Sequence, residues 1–208
     1  MIDLVLPESR LGFAAALMEM HHDRKRVFVD RFGWRLPAKG SWLEVDQFDD
    51  EYAVYLLARS PEGRHRGSVR LLPSSRPHML STLFSRLCPD GVPGGDDCWE
   101  ISRLVTRPAD ASGTTVLRIH RLLALALVEF AHANSIRRYT LVAEAHRVPA
   151  LLSVGWPVRP LGLPTVIDGE QLQALQIDVE PGLLEDMRRR LRIGQPVLRV
   201  METARRAA

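Results

Sequence analysis

The chain has 208 residues, 46% of them hydrophobic and 25% charged, and a formal net charge of +3. That length suits a single domain with a sizeable core, and so small a charge makes no case for a nucleic-acid partner. Cys88 and Cys98 lack zinc or disulfide-framework spacing, the opening Met1-Ile2-Asp3 carries no basic leader, and the most apolar run (122–128) is too short to span a bilayer, so a cytoplasmic protein is expected.

In chain order, residues 10–32 are predicted helical, with Leu11, Ala14, Leu17, Met18 and Val27 on an apolar face. Residues 37–50 are polar and turn-rich and are expected to wrap the surface. Residues 52–58 have strand composition, Pro61-Glu62-Gly63 is a turn, and 67–72 return as the hairpin partner. A short helix is predicted over 80–87, a Gly/Pro loop over 89–97 and a strand over 99–105. Residues 114–134 are almost wholly apolar, as for a helix buried against a sheet. A strand over 138–143, a short helix through Leu151 and Leu152 ended by Gly155-Trp156-Pro157, and a strand over 173–180 complete the pattern. Helices and strands that interleave in this way predict an α/β sandwich around one sheet.

The chemistry-bearing residues are concentrated in a few places. Glu44, Asp46, Asp49, Asp50 and Glu51 crowd five carboxylates into eight positions. Such acids repel unless paired, and Arg24, Arg70 and Arg103 are the natural partners, since a guanidinium forks onto a carboxylate. About ten residues before the acids lies a cationic, aromatic segment with Phe28 and Trp34, which would suit a small zwitterionic cation carrying an aromatic group. On strand 99–105, alternation puts Glu100 and Ser102 on one face and Ile101 and Arg103 on the other, unless a bulge intervenes. None of the histidines shows metal-ligand spacing, and His21 and His22, just before Arg24 and within reach of a ligand there, are expected rather to face solvent. Residues 181–208 carry seven Arg against three acids, which suits an acidic partner, nucleotide phosphates or simply a solvated helix end.

Four blocks, 24–34, 44–49, Gly67-Ser68-Val69-Arg70-Leu71-Leu72-Pro73 and Trp99-Glu100-Ile101-Ser102-Arg103, resemble in order and spacing the acyl-homoserine-lactone synthases, the LuxI-type autoinducer synthases. The resemblance implies an acetyltransferase-like (GNAT-like) α/β fold over 1–208, with residues 1–50 capping the S-adenosylmethionine site. It implies a two-step reaction: acyl transfer from a thioester to the amine of S-adenosylmethionine, then lactonisation with release of methylthioadenosine. Arg24, Phe28, Trp34, Asp46, Asp49 and Arg70 would bind S-adenosylmethionine, which is consumed as a substrate, and neither a cofactor nor a metal is implied. Glu100, Ser102 and Arg103 form the catalytic block. Glu100 would serve as base through a water or only position the amine, and Arg103 would hold the substrate carboxylate or pair with the acids.

The resemblance implies an acyl pocket lined by the strand and helix of residues 140–150, with Leu104, Leu122, Leu125, Val142, Ala143 and Leu151 as candidates that would otherwise be core. Ala143 stands where many relatives have a threonine, which favours an unsubstituted, apolar acyl group, although Thr140 offers a substitute hydroxyl. The donor is acyl carrier protein, as in most relatives, or coenzyme A. Residues 111–114 make a poor pyrophosphate loop, which favours the carrier. Two other readings stay open, a general N-acyltransferase using acyl-CoA and a non-catalytic S-adenosylmethionine or acyl sensor.

Overall fold

A computed structural model describes residues 1–34, 42–106 and 112–200. The start of the predicted surface wrap, Ala111 and the end of the basic segment lie outside the described residues. The strands are β1 (Ile2–Val5), β2 (Val54–Arg59), β3 (His65–Pro73), β4 (Cys98–Thr106), β5 (Arg138–Glu144), β6 (Val158–Pro160), β7 (Thr165–Ile167), β8 (Glu170–Asp178) and β9 (Leu198–Val200). The helices are α1 (Ala14–Arg24), α2 (Met79–Leu83), α3 (Gly113–Ala133), α4 (Val148–Ser153) and α5 (Leu183–Leu191). They fall into two compact units, one of Met1–Arg70, Arg103–Leu123 and Val197–Ala208, the other of Leu71–Ser102 and Ala124–Pro196.

In the first unit the strand order is β3-β2-β1-β9. β1 lies antiparallel to β2, with Ile2 opposite Ala58 and Val5 opposite Tyr55, and parallel to β9. The predicted helix over 10–32 has three geometries. A 3₁₀ turn, Pro7–Phe13, leads into α1, and from Lys25 to Arg31 the coil widens to a π-helix. Gly33, at φ +69°, stops it in the left-handed conformation that glycine adopts without a Cβ clash. The buried face is Phe13, Ala16, Met20, Asp23, Arg24, Val27 and Phe28, whereas Leu11 is 90% and Met18 60% exposed. The expected apolar face is therefore rotated. Two of its inward positions hold charges satisfied inside the fold, and a hydrophobic pattern cannot register these.

In the second unit the order is β6-β8-β5-β4, with β7 also on β8. β5 is antiparallel to β8 from Arg138–Asp178 to Glu144–Leu172. It is parallel to β4, where the ladder runs from Cys98–Arg138 to Glu100–Thr140. Tyr139, Trp99 and Ile177 share one face. There the Tyr139 hydroxyl donates to the Leu127 carbonyl at 2.8 Å, and Trp99 meets Phe130 edge-on, which seats the C-terminal half of α3. On the other face Leu80, Leu87, Cys88, Ile167 and Ala174 form a buried cluster, joined by Phe84, Val92, Val142, Leu161 and Leu172. No helix among the described residues is long and apolar enough to cross a membrane.

The loop after β6 passes so close to the 3₁₀ turn Ser85–Leu87 that a Cβ on Gly162 would stand 2.3 Å from the Leu87 carbonyl oxygen and 2.9 Å from Pro89 Cδ. Backbone cannot yield as a side-chain tip can. Gly162→Ala is expected to lose about 1–3 kcal/mol, read as a lower urea midpoint with an unchanged slope. A midpoint within error of the parent would show that the loop moves aside freely.

Candidate active site

The dominant feature of the first unit is a buried lattice of three guanidiniums and three carboxylates. Arg24, near the end of α1, donates from Nη1 and Nη2 to Asp49 Oδ1 and Oδ2 at 2.7 and 2.9 Å and also holds Glu44. Arg70, on β3, forks onto Asp46 at 2.6 and 3.0 Å and reaches Asp49 at 2.8 Å. Arg103 donates to Glu44 at 3.0 Å and to Asp46 at 2.6 Å. Arg24, Glu44 and Arg70 are at most 1% exposed, so water does not screen these charges.

Burial alone would raise the Asp46 and Asp49 carboxyls. The neighbouring guanidiniums outweigh it, Arg70 and Arg103 at Asp46 and Arg24 and Arg70 at Asp49, and hold both below the usual range. Burial and the charge of Arg24 keep His21 below an ordinary histidine. Burial depresses Arg103 as well, against the pull of Glu44.

Two backbone irregularities aim these groups. Arg103 has φ +53°, a left-handed residue inside β4. Glu100 and Ile101, adjacent on β4, are both buried, and the regular extended geometry is interrupted at Arg103. The π-helix lets Trp34 N–H reach the Phe28 carbonyl at 2.9 Å, and their rings stack at 4.8 Å. The Arg103 guanidinium lies 5.4 Å from the Phe28 centroid and 6.0 Å from that of Trp34.

In the second unit, Glu100 is 1% exposed and lies at the start of α2, accepting the Met79 N–H at 2.8 Å and the Leu80 N–H at 3.0 Å. A carboxylate at the exposed donors of a helix start is fixed in orientation. Ser102 is half-buried. Thr140, in register with Glu100 and Gln176 on the adjacent strands, is fully buried with its hydroxyl unpartnered.

The structure thus brings together Arg24, Asp46, Asp49, Arg70 and Arg103, with Phe28 and Trp34 against Arg103. Among the acyl-pocket candidates, Val142 packs on the Leu80–Ala174 cluster, Ala143 takes the other side of β5, and Leu125 is buried in α3. Leu151 and Leu122 are half-buried, and Leu104 is 38% exposed. The sequence reading counted Glu44 among the crowded acids without singling it out, and assigned no site role to Tyr55 or Arg10. Glu44 joins two arginines, and the Tyr55 hydroxyl donates to Asp49 at 2.9 Å. His21, expected to face solvent, instead bonds the Glu44 carbonyl through Nδ1 at 2.9 Å. The Glu44-x-Asp46 spacing was the available signal for Glu44, but loop residues carry no periodicity that says which acid points inward.

Residues 9–187 match the family model described as autoinducer synthase. An acyl-homoserine-lactone synthase of Ralstonia solanacearum is 33% identical over 180 residues, 84% of this chain and 85% of that protein. The isovaleryl-homoserine lactone synthase of Bradyrhizobium diazoefficiens is 32% identical over 86% of this chain and 80% of its own length. The structure of BjaI, a CoA-dependent acyl-homoserine lactone synthase with S-adenosylmethionine and isopentyl-CoA, superposes with TM-score 0.87 at 27% identity over 97% of this chain and 93% of that one. An acyl-CoA N-acyltransferase from Pseudomonas aeruginosa, 19% identical, covers 85% of this chain and 97% of its own with TM-score 0.56, and so shares the fold.

The lattice makes a pH prediction. Asp46 and Asp49 titrate lower in the folded protein than when unfolded, so below about pH 4 the unfolded chain binds more protons and stability falls with falling pH. His21, also depressed, adds a shallower loss as pH drops through about 6.5. The urea midpoint is expected to decline gently below neutrality and steeply below about pH 4. A midpoint that rises on acidification would contradict the arrangement.

Proposed function

The chain belongs to the autoinducer synthase family, and from that premise we propose that the arginine–carboxylate lattice with Phe28 and Trp34 binds S-adenosylmethionine for acyl-homoserine-lactone synthesis. The observation that carries this reading is the lattice itself. A general N-acyltransferase acting on another amine has no use for three buried guanidiniums wound through an acidic loop, and its reaction would release no methylthioadenosine. S-adenosylmethionine brings a sulfonium and an ammonium, which carboxylates and aromatic faces attract, and a carboxylate, which a guanidinium attracts.

In the first step the amine nitrogen attacks the thioester carbonyl, the carbon–sulfur bond of the thioester breaks, and the thiol leaves with a proton. The product is an amide. In the second step the methionine carboxylate oxygen attacks the carbon next to the sulfonium, that carbon–sulfur bond breaks, and neutral methylthioadenosine departs as the lactone closes. A sulfonium is already a good leaving group, so closure needs mainly a held conformer. S-adenosylmethionine is consumed, and its role is that of a substrate.

The amine must lose a proton before it attacks, and that task falls to Glu100. The Met79 and Leu80 N–H groups fix the direction of its carboxylate. Beyond Glu100 and Thr140 the β4–β5 ladder stops while β5 continues to Glu144. Main-chain N–H groups at such a parting are suited to the thioester oxygen as it gains charge. The test is an assay of purified protein with S-adenosylmethionine and an acyl thioester, with methylthioadenosine and acyl-homoserine lactone read by mass spectrometry. Glu100→Gln is expected to lower kcat by roughly 10²–10⁴. A kcat kept within threefold would leave Glu100 as a cap for α2 alone.

For the donor we assign a coenzyme A thioester with an apolar, unsubstituted acyl chain. The likeness to BjaI over nearly the whole chain supports coenzyme A ahead of the carrier protein that the sequence reading placed first. The apolar cluster around Val142, Phe84 and Leu172 supports the plain chain. With a plain straight-chain acyl-CoA and the same acyl group on carrier protein offered side by side, kcat/KM is expected to favour the coenzyme A form at least tenfold, and the reverse order would overturn the assignment.

A further inference from the structure

The other donors to Asp49 belong to long, flexible side chains, those of Arg24 and Arg70, or to the loop itself, the Asp46 N–H. Tyr55 differs. It sits on β2, opposite Val5 of β1, is 2% exposed, and gives its hydroxyl to Asp49 Oδ1 at 2.9 Å. The same oxygen takes Arg24 and Arg70, while Oδ2 takes Arg24 and the Asp46 N–H at 2.9 Å. A tyrosine has two side-chain torsions and its backbone here is locked in a sheet, so its hydroxyl is the most rigid reference point the carboxylate has.

Two further side chains converge on the Tyr55 ring. The Arg10 guanidinium lies 5.4 Å from its centroid and donates from Nη2 to the Asp50 and Ala53 carbonyls, both at 2.5 Å. His21 meets the ring edge-on at 6.2 Å. Its Nδ1 bonds the Glu44 carbonyl, and the Glu44 N–H returns to the His21 carbonyl at 3.1 Å. Arg10 thus holds the far end of the acidic loop, His21 the near end, and Tyr55 stands between them on the sheet.

We propose that Tyr55, supported by Arg10 and His21, is a positioning residue for S-adenosylmethionine binding, acting through the plane of the Asp49 carboxylate. The proposal rests on the function assigned above. Burial and the charge of Asp49 push the Tyr55 hydroxyl up, so it stays a proton donor at neutral pH and takes no part as a base. Removing the hydroxyl leaves both arginines on Asp49, so the lattice survives but its aim is relaxed.

Tyr55→Phe is expected to raise KM for S-adenosylmethionine roughly tenfold, the lower end of the worth of a hydrogen bond to a charged group. KM for the acyl thioester and kcat should stay within about threefold. A purely structural role would move all three constants together or none, and either result overturns the proposal. Should Tyr55→Phe fail to melt cooperatively, Arg10→Gln carries the same expectation, and an unchanged S-adenosylmethionine KM there sinks it. The functional reading fails separately, if the parent protein releases no methylthioadenosine. Calorimetric binding of S-adenosylmethionine to parent and Tyr55→Phe then still decides the role of Tyr55, with equal affinities or no binding to either counting against it.

Discussion

The first unit depends on one constraint: three arginines and three carboxylates must be buried together or not at all. Removing an ion from water costs several kcal/mol even after relaxation, and the attraction of a partner returns that only when every charge is matched. Here each of Arg24, Arg70 and Arg103 touches two carboxylates, and each of Glu44, Asp46 and Asp49 touches two arginines. The acids sit in the described stretch 42–53, which contains no helix or strand. Its main chain makes few bonds of its own, such as Asp49 N–H to the Asp46 carbonyl. The loop therefore takes its shape from its side chains, and Asp46 adds to this by accepting the Phe48 N–H at 2.8 Å.

Regular elements alone could not deliver those side chains. An α-helix carried unbroken through residues 25–31 would not provide the wider turn that accompanies the stacking of Phe28 on Trp34. A strand carried straight through Arg103 would keep its side chain in the two-residue alternation. The left-handed residue costs about 1–2 kcal/mol, less than leaving Glu44 and Asp46 short of a partner in the interior. The π-helix and the left-handed arginine meet at one place, the Arg103 guanidinium between two acids and two aromatic rings. Strain at both positions is tolerated because the lattice and the rings over-determine the geometry.

That geometry explains which parts of the molecule were legible in the chain. Long periodic segments announced themselves: α3, β4, β5 and most of β8 fall where composition places them. β1, β6, β7 and β9 are three or four residues long, too short for any period to stand out. α5 was read only as a solvated helix end because of its arginines and acids, although Leu183, Leu184 and Met187 are buried. The pairing of Arg24, Arg70 and Arg103 with Asp46 and Asp49 was readable because crowded acids demand cations. Tyr55 was not, because an aromatic residue in an apolar strand reads as core. Only the sheet register and the loop's path bring its hydroxyl to Asp49.

The two carboxylate environments also divide the chemistry. Asp46 and Asp49 are enclosed by guanidiniums and backbone donors, each of which favours the ionised form, so they are poor proton acceptors for any amine near neutral pH. Their task is electrostatic and geometric, to hold charge of fixed sign in a fixed place. Glu100 is anchored by the N–H groups of Met79 and Leu80 at the start of α2, which fix its direction. The sequence keeps the roles apart by placing one set of acids in a loop threaded with arginines and the other at the start of a short helix.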